Sequence, residues 1–386
     1  MSWKLSKIVT GVLILLAIVL VVINVISNKQ ENTVNLEKPT VDLTTEIKIP
    51  KEKELGMLFI DKEESKLQPE KKASYIAACE KSIKPEEVLN GKFFDEEEVA
   101  LANDIEKLLP ILKQHGDIES DISHAIISKG NDEKGFSESL KSLSEKYPES
   151  TLVSYDLLSH CTSTESQCER SIIEKGIALD SQNGAVCLIA ALYEIQNNNL
   201  DGAINALTES VNSPVYEEYW GAHITALESA LLKAGAGDDL PAQVAGVNYA
   251  ASMPLPNFGI LVNFCKNIEL GSENILQSCL SAGGKLANGD GTILTHLIGL
   301  SLQSTVYNKL DDEAQVSQVS NERKKIMKIM ELSEKASNLT WQSSERTSDW
   351  LQVIKDSGEL NATEIIVNES IRLSSNPNFD PCEVSW

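Results

Sequence analysis

Aromatic side chains make up only 5% of this 386-residue chain, and its 34 lysines and arginines face 57 aspartates and glutamates. The first shortage argues against sheets, which need alternating β-branched and aromatic residues. It favours helices packed through Ala, Leu and Ile. The second leaves a formal charge of −23, which repels nucleic-acid phosphates and anionic headgroups, so no nucleic-acid partner is expected. Signatures of catalysis are missing as well. The five histidines, His115, His124, His160, His223 and His296, are scattered, and none sits in HExxH or another paired metal spacing. His223 and His296 lie among apolar neighbours in helical patterns and read as packed side chains. There is no GxSxG elbow, and "AGGKLANGDG" lacks the spacing of a phosphate loop. "LANGDGTIL" places Asn288, Asp290, Gly291 and Ile293 at calcium-loop positions, but the first and twelfth positions are Leu286 and Leu297. It reads as a Gly/Asp turn opening a helix. Acids are too numerous for any pair of them to stand out. A non-enzyme is expected, with no catalytic residue, metal ligand or cofactor assigned.

What is present begins at the N-terminus. "IVTGVLILLAIVLVVINVI", residues 8–26, is interrupted only by Thr10, Gly11 and Asn24. As a helix it reaches roughly 28 Å, the thickness of a bilayer core. Lys4 and Lys7 precede it, so the positive-inside bias predicts a cytoplasmic tail (1–7), a transmembrane signal-anchor (8–27) and everything later exported. A cleaved signal peptide ending near "VIS" is the rival reading, disfavoured by the length of the run. The expected location is the bacterial inner membrane, single-pass, with the C-terminal domain periplasmic. Residues 28–68, polar and broken by Pro39 and Pro50, read as an extended tether.

Helical patterns fill the rest: an N-terminal helical region (69–147), a repetitive region (148–235), a C-terminal helical region (236–375) and a tail (376–386). Pro148, Ser181 and Pro214 fall at successive intervals of 33, and Ile173 pairs with Leu207 and Ile177 with Val211 at intervals of 34. That period, with two helices per unit, describes a helical hairpin repeat. "LDGAINALTESVNSP" resembles the second helix of a tetratricopeptide repeat, with Ala203 and Ser210 at the small positions, Leu207 at the bulky one and Pro214 near the terminal proline. The motif is degenerate, since Cys187 and Glu194 stand where aromatics are usual. "CERSIIEKGIALDSQNGAVC" also resembles a stretch of uncharacterised proteobacterial envelope proteins, a likeness that implies no activity. The fold class expected is all-α, a tetratricopeptide-like hairpin array behind one transmembrane helix.

The chain has seven cysteines. In an exported domain, close pairs read as disulfides. In the repeat frame Cys161 ends one helix and Cys168 begins the next, so a bridge would clip the hairpin. Free thiols or a metal pair are the alternatives. Cys265 and Cys279 flank the turn "ELGSEN" in the same way. Cys187, in "AVCLIAAL", reads as a buried small hydrophobe. Cys79 and Cys382 would pair only if the chain ends met.

One stretch stands out in so aromatic-poor a chain. "SPVYEEYWGAH" carries Tyr216, Tyr219 and Trp220. Repeat packing explains them, but so does a ligand- or peptide-facing patch on a concave surface. "NERKKIMKIM" reads as a solvated basic face. The function expected is a membrane-anchored periplasmic scaffold or adaptor for another envelope protein or peptide. The alternative is a periplasmic enzyme or small-ligand sensor with its site between helices of 235–375.

Overall fold

The computed structural model describes residues 96–377 and 379, apart from 130–131, 164–167, 237–238, 270–271 and 341–343. The predicted transmembrane run, cytoplasmic tail and tether, together with Cys79, Cys382 and the first part of the N-terminal helical region, lie outside the described residues. Within them every regular element is a helix. In chain order these are α1 (Glu96–His115), α2 (Ile118–Lys129), α3 (Glu133–Lys146), α4 (Thr151–Ser163), α5 (Arg170–Leu179), α6 (Gly184–Gln196) and α7 (Leu200–Asn212). They continue as α8 (Trp220–Lys233), α9 (Asp239–Ala251), α10 (Phe258–Asn267), α11 (Glu273–Asn288), α12 (Ile293–Lys309), α13 (Glu313–Thr340) and α14 (Ser344–Ser374). No helix among the described residues is long and apolar enough to cross a membrane.

Side-chain caps fix several helix starts. Asp132 accepts from Gly135 N at 2.9 Å, Asn183 from Ala185 N at 3.0 Å, Asn199 from Gly202 N at 3.2 Å and Thr292 from Thr295 N at 3.3 Å. Each satisfies an amide that the first helical turn leaves unpaired. Two helices are buried nearly all round and run through the interior, α6 apolar throughout most of its length and α4 carrying buried polar residues. In α6 every residue from Gly184 to Glu194 is buried, and in α4 the run Tyr155–Thr162 is buried throughout.

Successive helices pair as hairpins, most extensively α6 with α7, α8 with α9, and α11 with α12. The α11–α12 crossing depends on Gly299, whose missing side chain would place a Cβ 2.4 Å from Ala287 N and 2.6 Å from Gly283 O. The hairpins do not form one open row. α8 lies against α1 and α2, α7 packs on α11, α6 on α10, and α14 returns to α8 and α9. The largest core accordingly mixes Leu158, Ile189, Leu192 and Leu207 with Leu261, Leu276, Leu286 and Leu302. A second gathers Leu112, Ile126, Leu140, Ile224, Leu227 and Leu351.

Within the region of tetratricopeptide resemblance, Ala203 and Leu207 are fully buried and Ser210 Oγ donates to Gly184 O at 2.6 Å, tying α7 to the start of α6. Both expected cysteine pairs are bridged. Cys161–Cys168 spans a Cα separation of 5.1 Å and joins the end of α4 to the approach to α5; Cys265–Cys279 spans 6.0 Å and joins α10 to α11. Cys187 is a buried free thiol.

Candidate functional site

The stretch before α8 is shaped by the junction "LDSQNG" between α5 and α6. Val215 pairs with Asn183 in an isolated parallel bridge, with Gly184 N donating to Val215 O at 2.8 Å. Asn183, itself buried, then grips Glu217 through both side-chain atoms. Its Nδ2 donates to Glu217 O at 2.9 Å and its Oδ1 accepts from Glu217 N at 3.0 Å. Tyr219 closes the segment in the left-handed region (φ 58°), held by its hydroxyl on Asp180 Oδ2 at 2.7 Å and its amide on Glu217 Oε1 at 2.6 Å.

This segment forms one wall of a cleft of about 330 Å³. The turn at Asp290–Gly291 and the stretch Ile354–Glu359 of α14 supply the others. α14 is broken there. Ser357 and Gly358 leave helical geometry, and Gly358 sits at φ 78° with space for a Cβ only 3.1 Å from the backbone carbon of Asp290. The break turns Glu359 toward the N-terminus of α12, where it accepts from Ile293 N at 2.8 Å. Glu218 arrives from the opposite wall. It accepts from Thr292 N at 3.0 Å, Thr295 Oγ1 at 2.7 Å and Tyr216 Oη at 3.1 Å. Four carboxylates thus border the cleft, those of Glu217, Glu218, Asp290 and Glu359, with Lys355 as the cation among its lining residues.

Burial and mutual repulsion set the electrostatics. Glu217, Glu218 and Glu359 are all held above the usual glutamate range, in each case chiefly by desolvation. The hydrogen bonds each accepts oppose the rise, and Glu218 adds to it for both of the others. Burial pushes the Tyr219 hydroxyl up to about 12. Behind the wall, His223 Nε2 meets Asp156 Oδ1 at 2.6 Å, with both side chains buried. Burial disfavours the charge on His223, but Asp156 and the Tyr219 carbonyl outweigh it and raise its pKa.

The expected aromatic patch is split by this arrangement. Tyr219 and Trp220 line the cleft. Tyr216 does not, because its ring belongs to the largest core and its hydroxyl is spent on Glu218. The four disulfide cysteines are structural clips and do not line the cleft. His296, expected to be packed, is buried with Nδ1 against Ala287 O at 2.8 Å. In "LANGDGTIL", Leu286 is core and Thr292 caps α12, leaving Asp290 and Gly291 at the cleft. Among the described residues no group of three or more His, Cys, Asp or Glu is arranged to hold a metal ion. Sequence reasoning missed Glu217, Glu218 and Glu359. The available signals were the paired acids inside the aromatic stretch and the glycine preceding Glu359. No family model, curated protein or solved structure matches the chain.

Proposed function

We propose that the protein is a membrane-anchored, exported helical scaffold that grips a basic segment of another envelope protein or peptide in this cleft. The observation that carries the reading is the composition of the cleft. Four acidic residues, Tyr219 and Trp220 line a groove with one lysine in its lining. Acidic groups in a partly desolvated groove attract ammonium and guanidinium groups, and indole or phenol faces add cation–π attraction. In this reading the apolar run 8–26 tethers the chain to the bacterial inner membrane with residues after 27 periplasmic. The hairpins of 148–235 are tetratricopeptide-like units that position the wall 215–220. Disulfides in the body are consistent with an oxidising compartment.

The test is binding of fluorescein-labelled tetralysine and tetraglutamate to the full chain. Tetralysine is expected to bind, to weaken with added salt, and to lose at least about fivefold in affinity in the Glu217→Gln/Asp290→Asn double variant. Equal binding of the two peptides, or indifference to the double variant, would overturn the proposal.

A second reading, a small-ligand sensor or enzyme with its site among the helices of 235–375, draws on one feature. About half of the lining comes from Asp290, Gly291 and the stretch 354–359, and the volume falls at the lower end for small-molecule sites. Saturable binding of spermidine at lower concentration than tetralysine would favour it.

A further inference from the structure

We propose that His223 is a pH-sensitive pin that holds the Glu217–Trp220 wall of the cleft against α4 and lets it loosen when its proton is lost. The consequence for ligand capture rests on the cleft being the binding site; the pin itself does not.

The geometry is specific. Nε2 of His223, on α8, faces Asp156 Oδ1, on α4, at 2.6 Å, with 3% and 2% of the two residues exposed. One turn earlier, the carbonyl of Tyr219 accepts His223 N at 2.9 Å, which ties the wall to the turn of helix that carries the ring. An imidazolium meets the buried carboxylate with a full opposite charge. A neutral imidazole donates at only one nitrogen. Asp156 keeps that remaining proton, because its carboxylate is buried and its Oδ2 has no other donor. Proton loss to solvent then leaves the buried Asp156 carboxylate without its countercharge and weakens the hold of α8 on α4. The loosening falls one turn from Tyr219, which already holds a left-handed backbone (φ 58°). The wall is then held by the Tyr219 contacts to Asp180 and Glu217 and by the Asn183 clamp.

The titratable groups that bear most on the ring act in one direction, Asp156 and Glu217 both favouring its charged form. Glu218 belongs to the same wall and Tyr155 to α4, with Asp290 and, acting in the opposite sense, Lys355 across the cleft. The other helices packed against α8 carry, among others, Glu106 of α1, Tyr249 of α9 and, on α2, Asp121, His124, Lys129 and Glu119. The last is engaged by Ser229 and Lys233 at the far end of α8. Histidine is the side chain suited to such a role because its ordinary pKa lies near neutrality.

Hydrogen exchange of the full chain, followed by mass spectrometry on peptides covering 213–222 and corrected for intrinsic exchange, reads the pin directly. Protection is expected to fall about tenfold or more between pH 6 and pH 9 in the wild type. In His223→Gln it is expected to stay low and flat. A flat wild-type profile, or an equal slope in the variant, would overturn the proposal. Should the variant fail to fold, proton NMR of the five histidines in the wild type decides. One resonance must titrate above the ordinary value of about 6.5, and five at or below it would end the idea. Neither readout needs a ligand. Failure of tetralysine to bind would therefore sink the cleft reading and leave the His223 result standing.

Discussion

Glu218 and Glu359 come from segments more than a hundred residues apart and cap adjacent amides of one helix, Thr292 N at 3.0 Å and Ile293 N at 2.8 Å. A helix N-terminus presents unpaired amides and a partial positive charge, which is why two acids tolerate each other there. Glu218 serves three donors and Glu359 one. Glu218→Ala therefore strands Thr292 N and the Tyr216 hydroxyl in a buried site and leaves Thr295 Oγ1 only its bond with Thr292 Oγ1, at a cost of about 2–4 kcal/mol. Glu218→Gln keeps an acceptor and removes a desolvated charge, and is expected within about 1 kcal/mol of wild type. Urea denaturation of both variants checks the contrast; equal losses would mean that charge, not acceptor capacity, holds the site.

Stability should fall as pH rises from 5.5 to 8.5. Glu217, Glu218, Glu359 and His223 all have folded pKa values above their ordinary ones. Each binds its proton more readily folded than unfolded. The stabilisation is complete below the ordinary values, about 4.5 for the glutamates and 6.5 for the histidine, and is lost as pH climbs through the raised ones. Asp117, Glu119 and Glu369 are shifted downward and act in the opposite sense, but on the acid side of 4.5, outside this interval; His124, held down by burial, opposes the fall only below 6.5, at the lower end of it. The denaturation midpoint at constant ionic strength is the measurement. A midpoint that rises across the interval would contradict the electrostatics of the cleft.

The helices and their ends were legible because the signals are local. Asn183, Asn199 and Thr292 precede helical patterns and cap them in the structure. The bridged cysteines were legible for the same reason, since each pair flanks a single hairpin turn. The cleft was not. Glu218 and Glu359 are two acids among 57, and their local traces, a paired acid in an aromatic stretch and a preceding glycine, are too common to single them out. Their meeting depends on α14 folding back onto α8, a long-range contact with no periodic trace. Tyr216 agrees with the repeat-packing reading of the aromatic stretch, its ring buried and its hydroxyl on Glu218.

The two disulfides among the described residues should reduce in sequence. Cys265 and Cys279 have no exposed surface, whereas Cys161 is 7% exposed and Cys168 is half-buried. A thiol reagent must reach sulfur to exchange, so the 161–168 bridge opens first in the native state and the 265–279 bridge only with unfolding. Timed alkylation and peptide mass spectrometry under dithiothreitol give the order. Replacing Cys265 and Cys279 together by Ala is expected to cost about 3 kcal/mol, and simultaneous loss of both bridges under native conditions would show that the inner pair is not shielded.

The break in α14 offers a comparison between two left-handed glycines. Gly116 lies at φ 69° with open space around its missing Cβ; Gly358 lies at φ 78° with the Asp290 backbone 3.1 Å away. Alanine at Gly116 meets only the backbone strain of a left-handed residue, about 1 kcal/mol. Alanine at Gly358 meets a rarer conformation, since ψ there is 169°, a region confined almost wholly to glycine. It also presses on the turn that carries Asp290. The expected loss is about 3 kcal/mol, together with a fall in tetralysine affinity, because the same push moves Asp290 and releases Glu359 from Ile293 N. Gly116→Ala should leave that affinity unchanged. Both quantities come from the same two variants, by urea denaturation and fluorescence anisotropy. If Gly358→Ala binds tetralysine as the wild type does, the break in α14 is a feature of packing and not of the cleft.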